Sequence, residues 1–179
     1  MDIYKLNWTR LQTRIFSLLC LRAGEELSQR EISGILEVSP TAVAKSLKEL
    51  KETNLVTVKK TKNINFVKLN RDERKAVLLK QVENLREVYL SGLFDYLGEN
   101  LAGGTIVLFG SYAKGEDVKS SDIDLAVIER KEKPLNLREF EIALNREINV
   151  QFYDSWKGVH KHLKNNILNG IVLSGSFEL

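Results

Sequence analysis

The chain has 179 residues, 43% hydrophobic, 28% charged and 8% aromatic, a composition expected of a soluble protein with enough apolar content for one core or two small ones. No apolar run approaches the ~20 residues of a membrane-spanning helix, and Met1-Asp2-Ile3-Tyr4-Lys5 does not open a signal peptide. One cysteine, Cys20, excludes a disulfide framework and a multi-cysteine metal site, so the expected setting is a reduced cytoplasm, with no membrane partner.

The net charge of +3 is unevenly spread. Residues 1–70 carry twelve Lys and Arg against seven Asp and Glu, and residues 71–179 carry fifteen against seventeen. Two modules with different partners are expected, with polyanion binding confined to the front.

Thr9 to Arg22 places Leu11, Ile15, Leu18 and Leu19 at helical spacing, and Gly24 stops the run. Ser28 followed by Glu31 reads as a capping box opening a second helix, whose buried face is expected from Ile32, Ile35 and Leu36. Ser39-Pro40 announces a third helix, with Ser39 as N-cap and Pro40 at the first helical position. Val43, Leu47 and Leu50 form its inward stripe. Leu55–Lys60 and Ile64–Leu69, joined by the polar turn Thr61-Lys62-Asn63, read as a β-hairpin.

Three helices and a hairpin in this order resemble the winged helix-turn-helix domain of small prokaryotic transcription regulators. A recognition helix presents short polar and basic side chains to base edges and phosphates, which Thr41, Ala42, Lys45, Ser46 and Lys48 suit. Lys59, Lys60 and Lys62 give a basic wing tip for flanking phosphates. Double-stranded DNA is one reading of this surface; a solvated lysine face used for protein contacts is the other. No arginine lies between Arg30 and Arg71, so bidentate guanine reading is not expected from this helix or wing.

Over residues 71–99, Leu78, Val82, Leu85, Tyr89, Leu93 and Tyr96 form a helical seam interrupted by Gly92. This linker helix either packs against its neighbours or pairs with a second copy in a homodimer. Beyond it, strands are expected at Thr105–Phe109, Ser121–Ile128 and Ile148–Tyr153. Helices are expected around Leu137–Arg146 and through Trp156, Val159, Leu163 and Ile167, with Ile171-Val172-Leu173 as a short apolar end piece. The expected fold class is therefore mixed α/β (α+β): a module over 1–70, a linker helix over 71–99, and a small mixed-sheet module over 100–179.

The chemistry concentrates in Ile106–Glu116 and Ser120–Val127. A buried strand delivers Gly110 and Ser111 at its end, where a hydroxyl and backbone N–H groups suit an anion. Asp122 and Asp124, two apart on a strand, share one face while Ile123 and Leu125 enter the core. Adjacent carboxylates repel unless they share a cation, and hard oxygen ligands suit Mg²⁺ carrying a triphosphate.

Gly110-Ser111, ten intervening residues, then Asp122-Ile123-Asp124 resembles the signature of the DNA polymerase β nucleotidyltransferase superfamily, and is most similar to its minimal (MNT-type) members. The resemblance implies that Gly110 and Ser111 hold the β and γ phosphates of an NTP, ATP first, with Lys114 as a further phosphate contact. It implies that Asp122 and Asp124 ligate Mg²⁺ or Mn²⁺, and that a hydroxyl acceptor takes the NMP and pyrophosphate leaves. The family's third acid lies on a later strand, and the position aligned with it here is Gln151, which can hydrogen-bond but cannot accept a proton. A slow or partner-dependent transferase is expected, or a nucleotide-binding transcriptional regulator. MNT-type relatives are often paired with HEPN-type toxins, some acting as antitoxins by adenylylating them, so the resemblance makes such a protein one candidate partner.

Overall fold

The computed structural model describes residues 8–62 and 64–177. Two compact units divide between Lys80 and Gln81, within one helix.

In the first unit, α1 (Arg10–Leu21) opens with a Thr9 cap, whose side chain and that of Gln12 satisfy each other's backbone N–H. A two-residue strand β1 (Leu27–Ser28) leads into α2 (Gln29–Leu36). There the expected capping box forms: the Glu31 N–H donates to Ser28 Oγ at 3.1 Å, and the Ser28 N–H to Glu31 Oε2 at 2.7 Å. Helix α3 (Pro40–Glu52) starts as expected, with the Ala42 N–H donating to Ser39 Oγ. Strands β2 (Val56–Lys60) and β3 (Asn65–Leu69) form the hairpin with Val58 opposite Val67. Thr61 closes its turn by exchanging hydrogen bonds with Ile64; Asn63, assigned to that turn, lies outside the described residues. β1 adds a third strand against β3. Ile15, Leu19, Ile32, Val43, Leu47, Leu50, Leu55 and Val67 fill the core between helices and sheet. This is the element order of a winged helix.

Two expectations fail in detail. Ile35 is 49% exposed, and the buried face of α2 instead takes Ser33, whose hydroxyl donates to the Arg30 carbonyl and so enters the core satisfied. Ser46 is buried rather than presented outward, because it shares the inward stripe with Leu47 and Leu50.

Residues 71–99 do not form one helix. α4 (Arg74–Leu90) and α5 (Leu93–Asn100) meet at Gly92, which sits at φ 80°, a backbone geometry that other residues resist. The seam is also rotated: Ala76, Lys80, Asn84 and Val88 are the buried row, while Leu78, Val82 and Tyr89 are exposed.

The second unit is built on a four-stranded sheet in the order β6 (Ile148–Tyr153), β5 (Ile123–Ile128), β4 (Thr105–Phe109) and β7 (Ile171–Ser174). β4 runs antiparallel to β5 and β7, and β5 is parallel to β6. All five residues of β4 are buried, as befits a central strand covered on both faces. Leu93, Leu97, Leu101, Leu108, Leu125, Phe140 and Leu144 fill one side, from α5 and α7 (Arg138–Leu144); Val107, Phe109, Ala126, Val159 and Ile167 fill the other, beneath α8 (Lys161–Leu168). The apolar end piece is the strand β7.

Gly170 turns the chain from α8 into β7 where a Cβ would lie 2.5 Å from the Leu108 carbonyl oxygen and 3.0 Å from that of Ile167. Both obstacles are backbone and cannot swing aside. Gly170→Ala should cost about 2 kcal/mol, measured by chemical denaturation of the full chain.

Candidate functional site

The β4–β5 pairing sets Phe109 opposite Asp124, and Phe109 is the last residue before the short helix α6 (Gly110–Lys114). The strand end therefore places Gly110 directly against the Asp124 side chain. A Cβ on Gly110 would lie 2.5 Å from Asp124 Oδ2, and Gly110 has φ +77°. Its positive φ favours glycine there, and any Cβ would oblige the Asp124 carboxylate to shift. Ser111, half-buried, follows on the first turn of α6, and Lys114 lies one turn later on the same face.

The chain from α6 to Asp122 is fixed by local bonds. Gly115 ends the helix at φ 72°, the Glu116 N–H returns to the Ser111 carbonyl, and Ser121 closes the last bend by exchanging hydrogen bonds with Val118. Asp122 stands immediately before β5, two residues before Asp124, close enough for its charge to act on the Asp124 carboxyl. Burial, then the charge of Asp122, raises the Asp124 carboxyl above its ordinary range, while a hydrogen bond from Asn149 acts in the opposite direction. A site that disfavours its own negative charge is one that a cation relieves.

The parallel β5–β6 register corrects the third position. Asn149 stands opposite Asp124, and its Nδ2 donates to Asp122 Oδ2 at 3.0 Å. Gln151 stands two residues further on, opposite Ala126, where its Oε1 accepts from the Tyr153 hydroxyl at 2.7 Å. The β6 side chain beside the acid pair is thus Asn149, not Gln151. Alternation put both on the correct face; the register decides which one arrives. Glu147 precedes β6 opposite Asp122, and its carbonyl accepts from the Ile123 N–H at 2.8 Å. Both line an open cavity of about 590 Å³ with Lys119, Ser121, Arg138 and Glu141. Among the described residues no cluster of three or more His, Cys, Asp or Glu is arranged to hold a metal. Two hard carboxylates that repel each other still fit one Mg²⁺ or Mn²⁺ completed by phosphate oxygens.

In the first unit Thr41, Lys45 and Lys48 are all exposed on α3, and Lys59, Lys60 and Lys62 are exposed on the wing. They compose a basic polar surface without arginine. His160 lies before α8 as its N-cap, and its ring stacks on that of His162 with centroids 5.6 Å apart.

Because the Asp124 carboxyl is raised in the folded state, its ionised form costs stability above that pKa, and the cost disappears as the pH falls through it. Asp124→Asn should therefore raise the thermal midpoint of the metal-free protein at neutral pH, by about 2 °C. The gap from wild type should shrink as the solution is acidified, as followed by thermal melts at several pH values.

Comparison with known proteins agrees with the second unit. Residues 94–177 match the family described as Polymerase beta, Nucleotidyltransferase. Similar solved structures include a point mutant of Lactococcus lactis ZitR, 24% identical with a TM-score of 0.41, over 54% of this chain and 64% of that one. Another is described as a zinc-responsive MarR family member, Lactococcus lactis ZitR, 21% identical with a TM-score of 0.41, over 57% and 70%. No curated protein sequence matches the chain. No described helix is long and apolar enough to cross a membrane. Over residues 94–177 the second unit is similar to the polymerase beta nucleotidyltransferases.

Proposed function

We propose that the second unit binds an NTP, ATP first, together with Mg²⁺ or Mn²⁺, and transfers the NMP to a hydroxyl acceptor. The observation that carries this reading is the packing of Gly110 on Asp124 beside Asp122, which brings the phosphate-binding turn and the acid pair to one point. Asp122 and Asp124 would hold the cation, which, when bound, offsets their repulsion and draws electron density from the α-phosphorus. Ser111 and Lys114 would hold the outer phosphates. The acceptor oxygen bonds to the α-phosphorus, the bond to the bridging oxygen breaks, and pyrophosphate leaves.

The cavity beside Asp122, which Glu147 also lines, offers the acceptor an approach. Asn149 cannot take the acceptor's proton, so transfer is slow or depends on a partner, and a HEPN-type protein hydroxyl is one candidate acceptor that the sequence resemblance suggests. The antitoxin role follows from that pairing. Exposure of Leu78, Val82, Tyr89 and Leu90 on α4 supports a homodimer through residues 71–99, and the basic surface of residues 1–70 supports DNA binding. A second reading, a nucleotide-sensing regulator without transfer, is favoured by the amide at position 149.

Calorimetry with Mg-ATP should show binding to the wild type and at least about tenfold weaker binding to Asp122→Ala/Asp124→Ala. Equal binding would defeat the reading. Pyrophosphate release from labelled ATP, with and without the product of a neighbouring gene, separates the two readings. Asn149→Asp should raise that release if the missing acid limits turnover, by about 10²-fold.

Lys45→Ala/Lys48→Ala should weaken binding of the protein to its own promoter in a gel shift, with a reduced salt dependence. Unchanged affinity would assign the lysine face to protein contacts.

A further inference from the structure

A buried ion pair adjoins the site. Asp117 and Arg146 have side chains 0% and 2% exposed, with Arg146 Nη2 at 3.6 Å from Asp117 Oδ2. Asn84, also buried, donates from Nδ2 to Asp117 Oδ1 at 2.7 Å and to the Tyr112 carbonyl at 2.8 Å. The Tyr112 hydroxyl donates to the Asn84 carbonyl at 3.4 Å, and Arg146 Nη1 donates to the Asn145 carbonyl at 2.9 Å.

The chain positions of these groups matter. Tyr112 is the residue after Ser111, Asp117 lies in the loop leading to Asp122, and Arg146 stands three residues before Asn149. The network therefore reaches the α6 turn, the acid-bearing loop and the start of β6, the three segments that compose the proposed nucleotide site. Burying two charges costs several kcal/mol for each ion, and apolar residues of similar volume often hold a fold as well or better. Apolar contacts lack direction, whereas hydrogen bonds and a paired charge fix orientation. The pair also balances its own charge, so Asp117 does not leave an uncompensated negative charge beside a site meant for a polyanion.

We infer that Asp117 and Arg146, joined through Asn84 to the Tyr112 backbone, are positioning residues that hold the Ser111 turn in place against the Asn149 strand for nucleotide binding. This rests on the proposed function. Arg146 also lines the cavity beside Asp122, and the pair acts through the backbone on either side of the acid pair.

The test separates geometry from stability. In the full chain, Asp117→Leu/Arg146→Met should keep or raise the thermal midpoint, yet bind Mg-ATP about tenfold more weakly than wild type in calorimetry. Retention of wild-type affinity in a folded double variant would overturn the inference. Arg146→Lys, which keeps the charge but not the fork, covers the case in which the double variant does not fold. In its ligand-free NMR spectrum the amide resonances of Gly110, Ser111 and Asn149 should shift while that of Val107 stays. Wild-type positions at all of them would equally overturn it. Failure of the wild type to bind Mg-ATP, or equal binding by Asp122→Ala/Asp124→Ala, would instead defeat the proposed function, and the NMR comparison would still decide the positioning role.

Discussion

Everything about the site depends on two carboxylates being held side by side, with one of them, Asp124, partly withdrawn from water. Asp122 stands just before β5 and Asp124 on it, and the partly buried Asp124 experiences both lost hydration and its neighbour's charge. A fold selected for stability alone would not place them there. The neighbouring chain is shaped around this tension. Gly110 gives up its side chain to make room for Asp124, and the Asn149 amide supplies a hydrogen-bond donor to Asp122. Residues from β4, β5 and β6 thus meet over a short stretch of one sheet, with the first turn of α6 closing over it.

The second unit is arranged around that meeting. β4 is buried throughout and ends just before Gly110, so one of the sheet's two inner strands aims the turn proposed to bind phosphate. β5 runs beside it in the opposite direction and begins where β4 ends, and β6 adds its own start in parallel. Glu141, from α7, accepts from the Ile148 N–H at 3.2 Å and pins that start. The apolar layers on both faces keep the strands in place; the polar groups collect at the sheet's end.

Much of this was legible in the sequence because the signals were local. Ser28 and Glu31, or Ser39 and Pro40, carry their geometry within four residues. Gly110-Ser111 declares itself by its place at the end of an apolar strand, and Asp122 and Asp124 by strand alternation. What was not legible depended on partners far along the chain. Choosing Gln151 over Asn149 is a two-residue error in a parallel register, and in a parallel pair no turn fixes the register as it does in a hairpin. The α4 seam was misread for a related reason. Counting Leu and Tyr hides the fact that Asn84 belongs inside, because its acceptors, the Tyr112 carbonyl and Asp117, come from about thirty residues later. Ser33 is buried on α2 where Ile35 was expected, and Ser46 packs inward although the sequence alone expected it to face outward.

The outermost strand opposite β6 carries a further consequence. β7 is four residues long, and its pairing with β4 is irregular between Ile106 and Val107. Val172 on it is 45% exposed, so its apolar content would suit it to recruit a strand from another molecule. Brevity and broken register deny such a recruit a straight row of free amides and carbonyls. The margin of the sheet is thereby a poor template for fibrillar growth, although its side chains alone would favour it.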